Sequence, residues 1–190
     1  KQEDVPRFVG HIRSEAQRLV TLIGDIIRLS QLDEGEPMPT ETVDLLEVTR
    51  EAAENLQTAA AARDVTVTVE GQPAELEGVR RLLYEIVYNL CDNAIKYNVT
   101  GGRVDLSVSC TGGTAAVMVR DTGIGIPADQ QDRVFERFYR VDKSHSKASG
   151  GTGLGLSIVK HAVQYHHGVI ELKSELGKGT EIRVTFPVKA

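Results

Sequence analysis

The chain is poor in the patterns that most simply announce a function. It has only two cysteines, Cys91 and Cys110. Neither has a metal-ligand spacing, so a zinc site or a disulfide framework finds no support and both read as buried, reduced thiols. No apolar run approaches the ~18 residues of a membrane span, and no signal-peptide pattern opens the chain. Positive charge is in deficit: 22 Lys and Arg stand against 27 Asp and Glu, a net charge of −5. That is the reverse of the basic face of a general nucleic-acid binder. The five histidines, His11, His145, His161, His166 and His167, form no H-E-x-x-H pair, and no G-x-S-x-G is present, so metalloprotease and α/β-hydrolase chemistry are disfavoured and each histidine reads as non-catalytic. No internal repeat is visible.

What is present reads as an ordinary globular chain. With 190 residues, 41% of them hydrophobic and 26% charged, one domain plus an appendage is expected. The chain opens with "KQEDVPRF" and no initiating Met, and so reads as part of something larger.

Residues 5–33 read as one amphipathic helix. Phe8, Ile12, Leu19, Ile23, Ile26 and Ser30 recur three, four or seven apart, with Ala16 between them; such a stripe needs a partner, in a coiled coil or helical bundle or, as the alternative, on the chain's own domain. "DEGEPMPTETV" at 33–43 reads as a hinge. Helices are then expected at 43–62, 78–97, 128–139 and 152–166. Strands are expected at 65–70, 103–110, 114–121, 168–175 and 180–188, with a hairpin at Thr111–Gly113 and a turn at Gly177–Gly179. Hairpins mixed with helices point to an α+β fold with a mostly antiparallel or mixed sheet rather than a doubly wound one.

Three stretches carry chemical interest. On the 78–97 helix, Leu83, Val87, Leu90 and Ala94 share one face, and Glu85, Asn89, Asp92, Asn93 and Lys96 the other. That polar face is either a solvated stripe or a site, because a carboxamide oxygen can hold a hard cation such as Mg²⁺. "DTGIGIP" (121–127) follows a strand, and its glycines allow a tight turn or a close ligand approach. "GGTGLGLSIVK" (150–160) leads into a helix, where open backbone N–H groups favour an anion. It fits neither G-x-G-x-x-G, since the residue required after Gly151 and Gly153 is Leu156, nor the P-loop, since no Lys-Ser or Lys-Thr follows. Between them, Phe135, Phe138 and Tyr139 look like an anchor for a Ser/Lys/Gly segment with the composition of a lid, and Arg137, Arg140, Lys143 and Lys147 add positive charge.

Together these stretches resemble the sensor histidine kinases of two-component signalling, within the superfamily of gyrase B, Hsp90 and MutL. "NLCDNAIKYN" (89–98) resembles the N box, "DTGIGIP" the first glycine box, "FERFYRVD" (135–142) the F box and "GGTGLGLSIVK" the second glycine box, all in family order within residues 43–190. "GKGTEIRVTFP" is similar to the family's closing strands. Residues 1–33 resemble the second helix of the dimerisation domain.

The resemblance implies a two-layer α/β sandwich of the Bergerat type, helices on one face of a mixed sheet, preceded by a long helix. Residues 1–36 would be the remnant of the dimerisation hairpin with its hinge, and 37–190 the catalytic ATP-binding domain. It implies ATP and Mg²⁺ as cofactors, with Asn93 as metal ligand and Asn89 lining the metal and phosphate region. Lys96 and Arg140 would contact phosphates, Tyr97 would pack near the nucleotide, and Asp121 would accept the adenine N6 amine with support from Thr180. Gly123, Gly125 and Ile126 would line the site, the backbone of Gly153, Leu154, Gly155 and Leu156 would cradle phosphates, and 141–152 would form the lid.

The superfamily's ATPases carry a Glu, as base for water, where this chain has Asn89; phosphotransfer therefore fits better than hydrolysis. The family's phosphoacceptor His motif does not occur here, and His11, in "GHIRSEAQ", does not match it. The expected function is thus transfer of the ATP γ-phosphate to a histidine on another helix and onward to a response-regulator aspartate, with the chain alone unable to autophosphorylate. A regulatory ATP-binding module without transfer, and a superfamily ATPase, are the alternatives. Expected partners are the acceptor helix, a dimer partner and a response regulator, with no nucleic acid and no membrane contact. The expected place is the cytoplasm, in a parent anchored in the bacterial inner membrane.

Overall fold

The computed structural model describes residues 5–34, 37–141 and 152–188. A long helix α1 (Val5–Glu34) precedes β1 (Glu41–Asp44), α2 (Leu45–Ala61), β2 (Thr66–Gly71), β3 (Glu75–Gly78) and α3 (Arg80–Lys96). Then come β4 (Arg103–Thr111), β5 (Thr114–Asp121), α4 (Gly155–Tyr165), β6 (Val169–Glu175) and β7 (Gly179–Pro187). Five strands form one mixed sheet in the order β2-β4-β5-β7-β6, in which only β2 and β4 run parallel. β1 and β3 form a separate antiparallel pair.

Period-two alternation decides which face of the sheet is covered. The register aligns Val69, Leu106, Val119, Ile182 and Leu172 in one row across all five strands. This row faces α2, α3 and α4 and joins their apolar stripes in a single core. One residue along, Thr68, Asp105, Arg120, Glu181 and Lys173 make a row on the opposite, uncovered face. There the Thr68 hydroxyl donates to Asp105 at 2.8 Å, and Arg103 pairs with Asp105 at 2.7 Å. The helices-on-one-face sandwich read from the sequence is therefore the architecture found.

Short-range chemistry sets the helix starts. Asp44 caps α2 by accepting from the Leu46 N–H at 2.9 Å, and the same oxygen accepts from Ala74 N–H at 3.0 Å, so one carboxylate fixes both the helix and the approach of β3. α3 has no side-chain cap of its own. His166, from the end of α4, supplies it: Nε2 accepts from the Val79 N–H at 3.0 Å, while Nδ1 lies 2.7 Å from the Ala162 carbonyl and so carries the proton.

Three expectations need correction. The helix expected from 43 begins at Leu45, because Glu41–Asp44 pairs with β3; both of these four-residue strands escaped the sequence reading. The helix expected at 128–139 is a single 3₁₀ turn, Ala128–Gln130, followed by turns closed by i→i+3 bonds such as Arg133 N–H to Gln130 and Glu136 N–H to Arg133. Cys91 is buried, its thiol pushed up to about 12 by desolvation, but Cys110 is only half-buried. The stripe expected on α1 to need a partner is exposed in the lone chain: Phe8 by 67%, Leu19 by 57%, Ile23 by 56%. A different face, with Leu22 and Leu29, packs on Leu154 and Ile158.

Two predictions follow from these contacts. Burial holds His166 below its ordinary pKa of 6.5, and His161 is depressed in the same way. The unfolded chain therefore binds protons that the native state resists. The histidine contribution to stability is full above pH 6.5 and is lost as pH drops from there toward the native pKa values. Urea unfolding between pH 7.5 and 5 should show this loss, and His166→Gln, which keeps an acceptor but cannot ionise, should make it shallower. The second prediction compares two glycines of positive φ. Gly125 (φ 69°) would place a Cβ 2.1 Å from the Glu175 carbonyl oxygen, whereas a Cβ at Gly112 (φ 60°) meets nothing within 4 Å. Gly112→Ala should cost only left-handed strain, about 1–2 kcal/mol. Gly125→Ala should cost clearly more in thermal denaturation, because backbone must also move.

Candidate nucleotide-binding site

The motifs meet through their glycines. Gly155 sits against α3: a Cβ there would lie 3.0 Å from Asn89 Oδ1 and 3.7 Å from Asn93 Nδ2. Gly123 sits against the end of the same helix, its absent Cβ 2.4 Å from the Tyr97 carbonyl oxygen, and Ile124 N–H donates to that carbonyl at 3.0 Å. Gly153 (φ 76°) packs on Phe138, whose N–H donates to the Gly153 carbonyl at 3.0 Å. The N box, both glycine boxes and the F box are thus joined, through backbone and through the Asn89 and Asn93 side chains, around the half-buried polar face of α3.

On α3, Asn89 Nδ2 donates to the Glu85 carbonyl at 2.8 Å, which turns its oxygen toward Gly155. Asn93 lies one turn on. Lys96 pairs with Asp92 within the helix, so its predicted phosphate contact requires release from that carboxylate. Tyr97 is 42% exposed at the helix end, with its ring available to a ligand. Among the described residues no side chain caps helix α4, which starts at Gly155, so its first-turn N–H groups are open toward them. The Leu154 N–H, however, is taken by Thr152 Oγ1 at 3.3 Å, and the Leu154 side chain is fully buried. Leu156 packs its side chain on the core.

The far end of the site is the polar terminus of the inner sheet face. Asp121, Thr180 and Ser174 continue the inward parity of Val119, Ile182 and Leu172. Asp121 Oδ1 accepts from Gly123 N–H at 2.8 Å and from Thr180 N–H at 3.2 Å. Both bonds use one oxygen, and among the described residues no hydrogen bond reaches Oδ2. Burial pushes the Asp121 carboxyl up, and the two backbone bonds oppose that shift. Ile126 N–H donates to Ser174 Oγ at 2.8 Å. Gln131 Nε2 donates to the Ile126 carbonyl at 3.0 Å and the Ser174 carbonyl at 2.9 Å, pinning the first glycine box to β6. A cavity of about 300 Å³ here is lined by Asp121 and Thr180 but by none of the other predicted site residues; its rim of Arg120, Lys173, Lys178 and Glu181 opens it toward the uncovered face.

The F-box segment departs from its expected role. Val134, just ahead of it, is buried, whereas Phe135 and Tyr139 are half-buried and Phe138 is 58% exposed in a left-handed conformation (φ 62°). Phe138 and Thr152 line a second cavity, of about 400 Å³, with Glu15, Leu19 and Leu22 of α1. Arg133 stacks on the Tyr139 ring at 4.3 Å. Arg137, expected to add charge for phosphates, instead lies 2.6 and 2.7 Å from the two oxygens of Asp33 on α1, which holds the Asp33 carboxyl below its usual range. Arginine can only donate, so His161 Nε2, 3.2 Å from Arg137, is an acceptor, and the His161 Nδ1 proton faces Asp33 at 3.3 Å. Arg140 is half-buried beside this segment. Most of the predicted lid, with Lys143 and Lys147, lies outside the described residues.

Helix α1 also reaches the other motifs. Thr152 donates to Asp25 at 2.9 Å, and Arg28 lies 3.5 Å from Glu85. Glu85 is 7% exposed, its Oε2 is buried with no hydrogen-bond partner among the described residues, and desolvation pushes its carboxyl up against the pull of Arg28. The polar face of α3 is therefore covered at its start by α1 rather than solvated throughout. Sequence reasoning missed Ser174, Gln131, Asp25, Arg28 and Asp33. The first two had a usable signal, since Ser174 shares the parity of Leu172 and Gln131 sits just past the glycine box. The α1 contacts had none.

Among the described residues no helix is long and apolar enough to cross a membrane. The family described as histidine kinase-, DNA gyrase B- and HSP90-like ATPase matches residues 78–190. The sensor-like histidine kinase SenX3 of Mycolicibacterium smegmatis is 40% identical over 187 residues, covering 97% of this chain and 49% of that protein. The chain therefore spans about half the length of this curated relative. Among solved structures, the mycobacterial sensor histidine kinase MprB superposes with a TM-score of 0.69 at 32% identity, covering 78% of this chain and 97% of that one. Full-length ShkA in complex with AMPPNP reaches a TM-score of 0.82 at 26% identity, covering 97% of this chain and 39% of that one. With the four motifs converging as the geometry shows, the chain belongs to the histidine kinase-, DNA gyrase B- and HSP90-like ATPases and is an ATP-binding catalytic domain of the sensor histidine kinase kind.

Proposed function

We propose that this domain binds Mg·ATP between α3 and the two glycine boxes and presents the γ-phosphate to a histidine on a separate dimerisation helix, for onward transfer to a response-regulator aspartate. The observation that carries the reading is the convergence of Asn89, Asn93, Gly155 and the open start of α4 at one end, with the unengaged Oδ2 of Asp121 at the other. Asp121 accepts the adenine N6 amine, with Thr180 in support, and Tyr97, Gly123, Gly125 and Ile126 line the base. Lys96 and Arg140 reach phosphate oxygens, with the backbone of Gly153, Leu154, Gly155 and Leu156. Catalysis is positioning and charge neutralisation, and Asn89 offers no base for water. The ShkA relative is a complex with AMPPNP, which fits a nucleotide in this place.

The donor set fits Mg²⁺. Among the described residues no group of three or more His, Cys, Asp or Glu could cage a metal, and Mg²⁺ prefers one or two protein oxygens together with water and phosphate. Asn93 would hold the ion and Asn89 would line its shell; the ion would neutralise phosphate charge. We place the domain boundary between residues 36 and 37, with α1 as the second helix of a dimerisation hairpin. The parent protein is anchored in the bacterial inner membrane, with this part in the cytoplasm.

Asp121→Asn tests the base end. The substituted oxygen would stay with the Gly123 and Thr180 N–H groups, putting an NH₂ where Oδ2 now is, facing the adenine amine. Calorimetric titration with Mg·ADP should show a loss of about 10- to 100-fold; unchanged affinity would refute the assignment. Incubated alone with γ-labelled ATP, the chain should form no stoichiometric phosphohistidine, and label should appear on a separate chain bearing an acceptor helix when one is supplied.

A further inference from the structure

Ser174 belongs to none of the four motifs, yet its hydroxyl is the hub of the base end. Three groups surround Oγ: the Ile126 N–H at 2.8 Å, the Gly179 carbonyl at 3.0 Å and the Thr180 hydroxyl at 2.9 Å. The hydroxyl has one proton and two lone pairs. Ile126 N–H can only donate, so Ser174 must accept from it. The Gly179 carbonyl can only accept, so Ser174 must spend its proton there. One contact remains, and it is a hydrogen bond only if Thr180 donates its proton to Ser174. A single arrangement of protons satisfies all three partners.

That arrangement fixes what Thr180 offers a ligand. With its proton turned to Ser174, the Thr180 hydroxyl shows only lone pairs. Beside it, Asp121 Oδ1 is occupied by two backbone N–H groups, and Oδ2 shows only lone pairs as well. Two acceptors thus stand together, complementary to a group with two N–H protons and repulsive to a carbonyl. Gln131 holds the backbone on both sides of this hub, so the Ser174 side chain is presented at a fixed height.

We propose that Ser174 is a specificity-determining positioning residue: by taking the Thr180 proton, it makes the base end a double acceptor that selects a 6-amino purine over a 6-oxo purine. The proposal rests on the reading of Asp121 as the base-recognising carboxylate. The Thr180 lone pairs act on the base amine directly or on a water held by it.

The test compares Mg·ADP with Mg·IDP, which differ at the 6-position, by calorimetric titration of the whole chain. Wild type should prefer ADP. Ser174→Ala releases the Thr180 proton and should narrow the ADP/IDP affinity ratio by about three- to tenfold, the span of one neutral hydrogen bond. Thr180→Val should narrow it similarly, and adding Ser174→Ala to Thr180→Val should change the ratio no further. Equal weakening of ADP and IDP by Ser174→Ala would make Ser174 merely structural and overturn the proposal. Equal binding of ADP and IDP by wild type would overturn it while leaving the nucleotide site standing. Binding of neither would instead remove the nucleotide reading beneath it. Should Ser174→Ala fail to fold, Thr180→Val alone must narrow the ratio, and an unchanged ratio there would be decisive against.

Discussion

The site depends on backbone approaching backbone more closely than any side chain permits. At Gly179, Gly125 and Gly123 a Cβ would lie 2.0, 2.1 and 2.4 Å from a carbonyl oxygen of Asp121, Glu175 and Tyr97 respectively. Those three carbonyls belong to β5, β6 and the end of α3. The first glycine box is therefore clasped between the sheet terminus and the helix that carries Asn89 and Asn93. The two ends of the proposed nucleotide site keep their separation because these joints have no side chain to compress or rotate. Glycine here serves packing as much as conformational freedom.

The sheet contributes a second constraint, parity. Each inner position must be apolar where helices cover it, and the row Val69 to Leu172 obeys. Past the edge of the helices the same parity continues but the chemistry changes, to Asp121, Thr180 and Ser174. Recognition groups are thus delivered by the register that builds the core. They are held at the margin of the apolar layer, where an acceptor is half-desolvated without being sealed off. The raised Asp121 pKa is the electrostatic trace of that placement.

This explains what could be read from residues alone. The four motifs were legible because each needs particular side chains at fixed spacing, and strands β4, β5 and β7 because long alternation is hard to mistake. β1 and β3 were not legible, since four residues carry little periodicity and their pairing joins segments more than thirty positions apart. The helix expected after Pro127 failed because Gln131 and Phe138 are drawn into contacts with β6 and the second glycine box, which no local propensity records. Arg137 was misread for a similar reason. A basic residue beside a phosphate-handling motif looks like a phosphate ligand, and only the fold reveals Asp33 from the other end of the chain.

Helix α1 has thirty residues, so it is a rod about 45 Å long. Apolar packing and polar contacts tie it to the domain through Leu22, Asp25, Arg28, Leu29, Leu32 and Asp33, while Glu15 and Leu19 border the cavity beside Phe138 and Thr152. Along the axis, Val5 lies about 25 Å from Leu22. Mechanically this is a lever with its short arm gripped by Thr152, Glu85 and Arg137, one from each of three regions bordering the site. A tilt of ten degrees at the grip moves Val5 by about 4 Å. Read backwards, a displacement of that size at the tip arrives at the grip reduced to a fraction of its amplitude, with the force correspondingly multiplied.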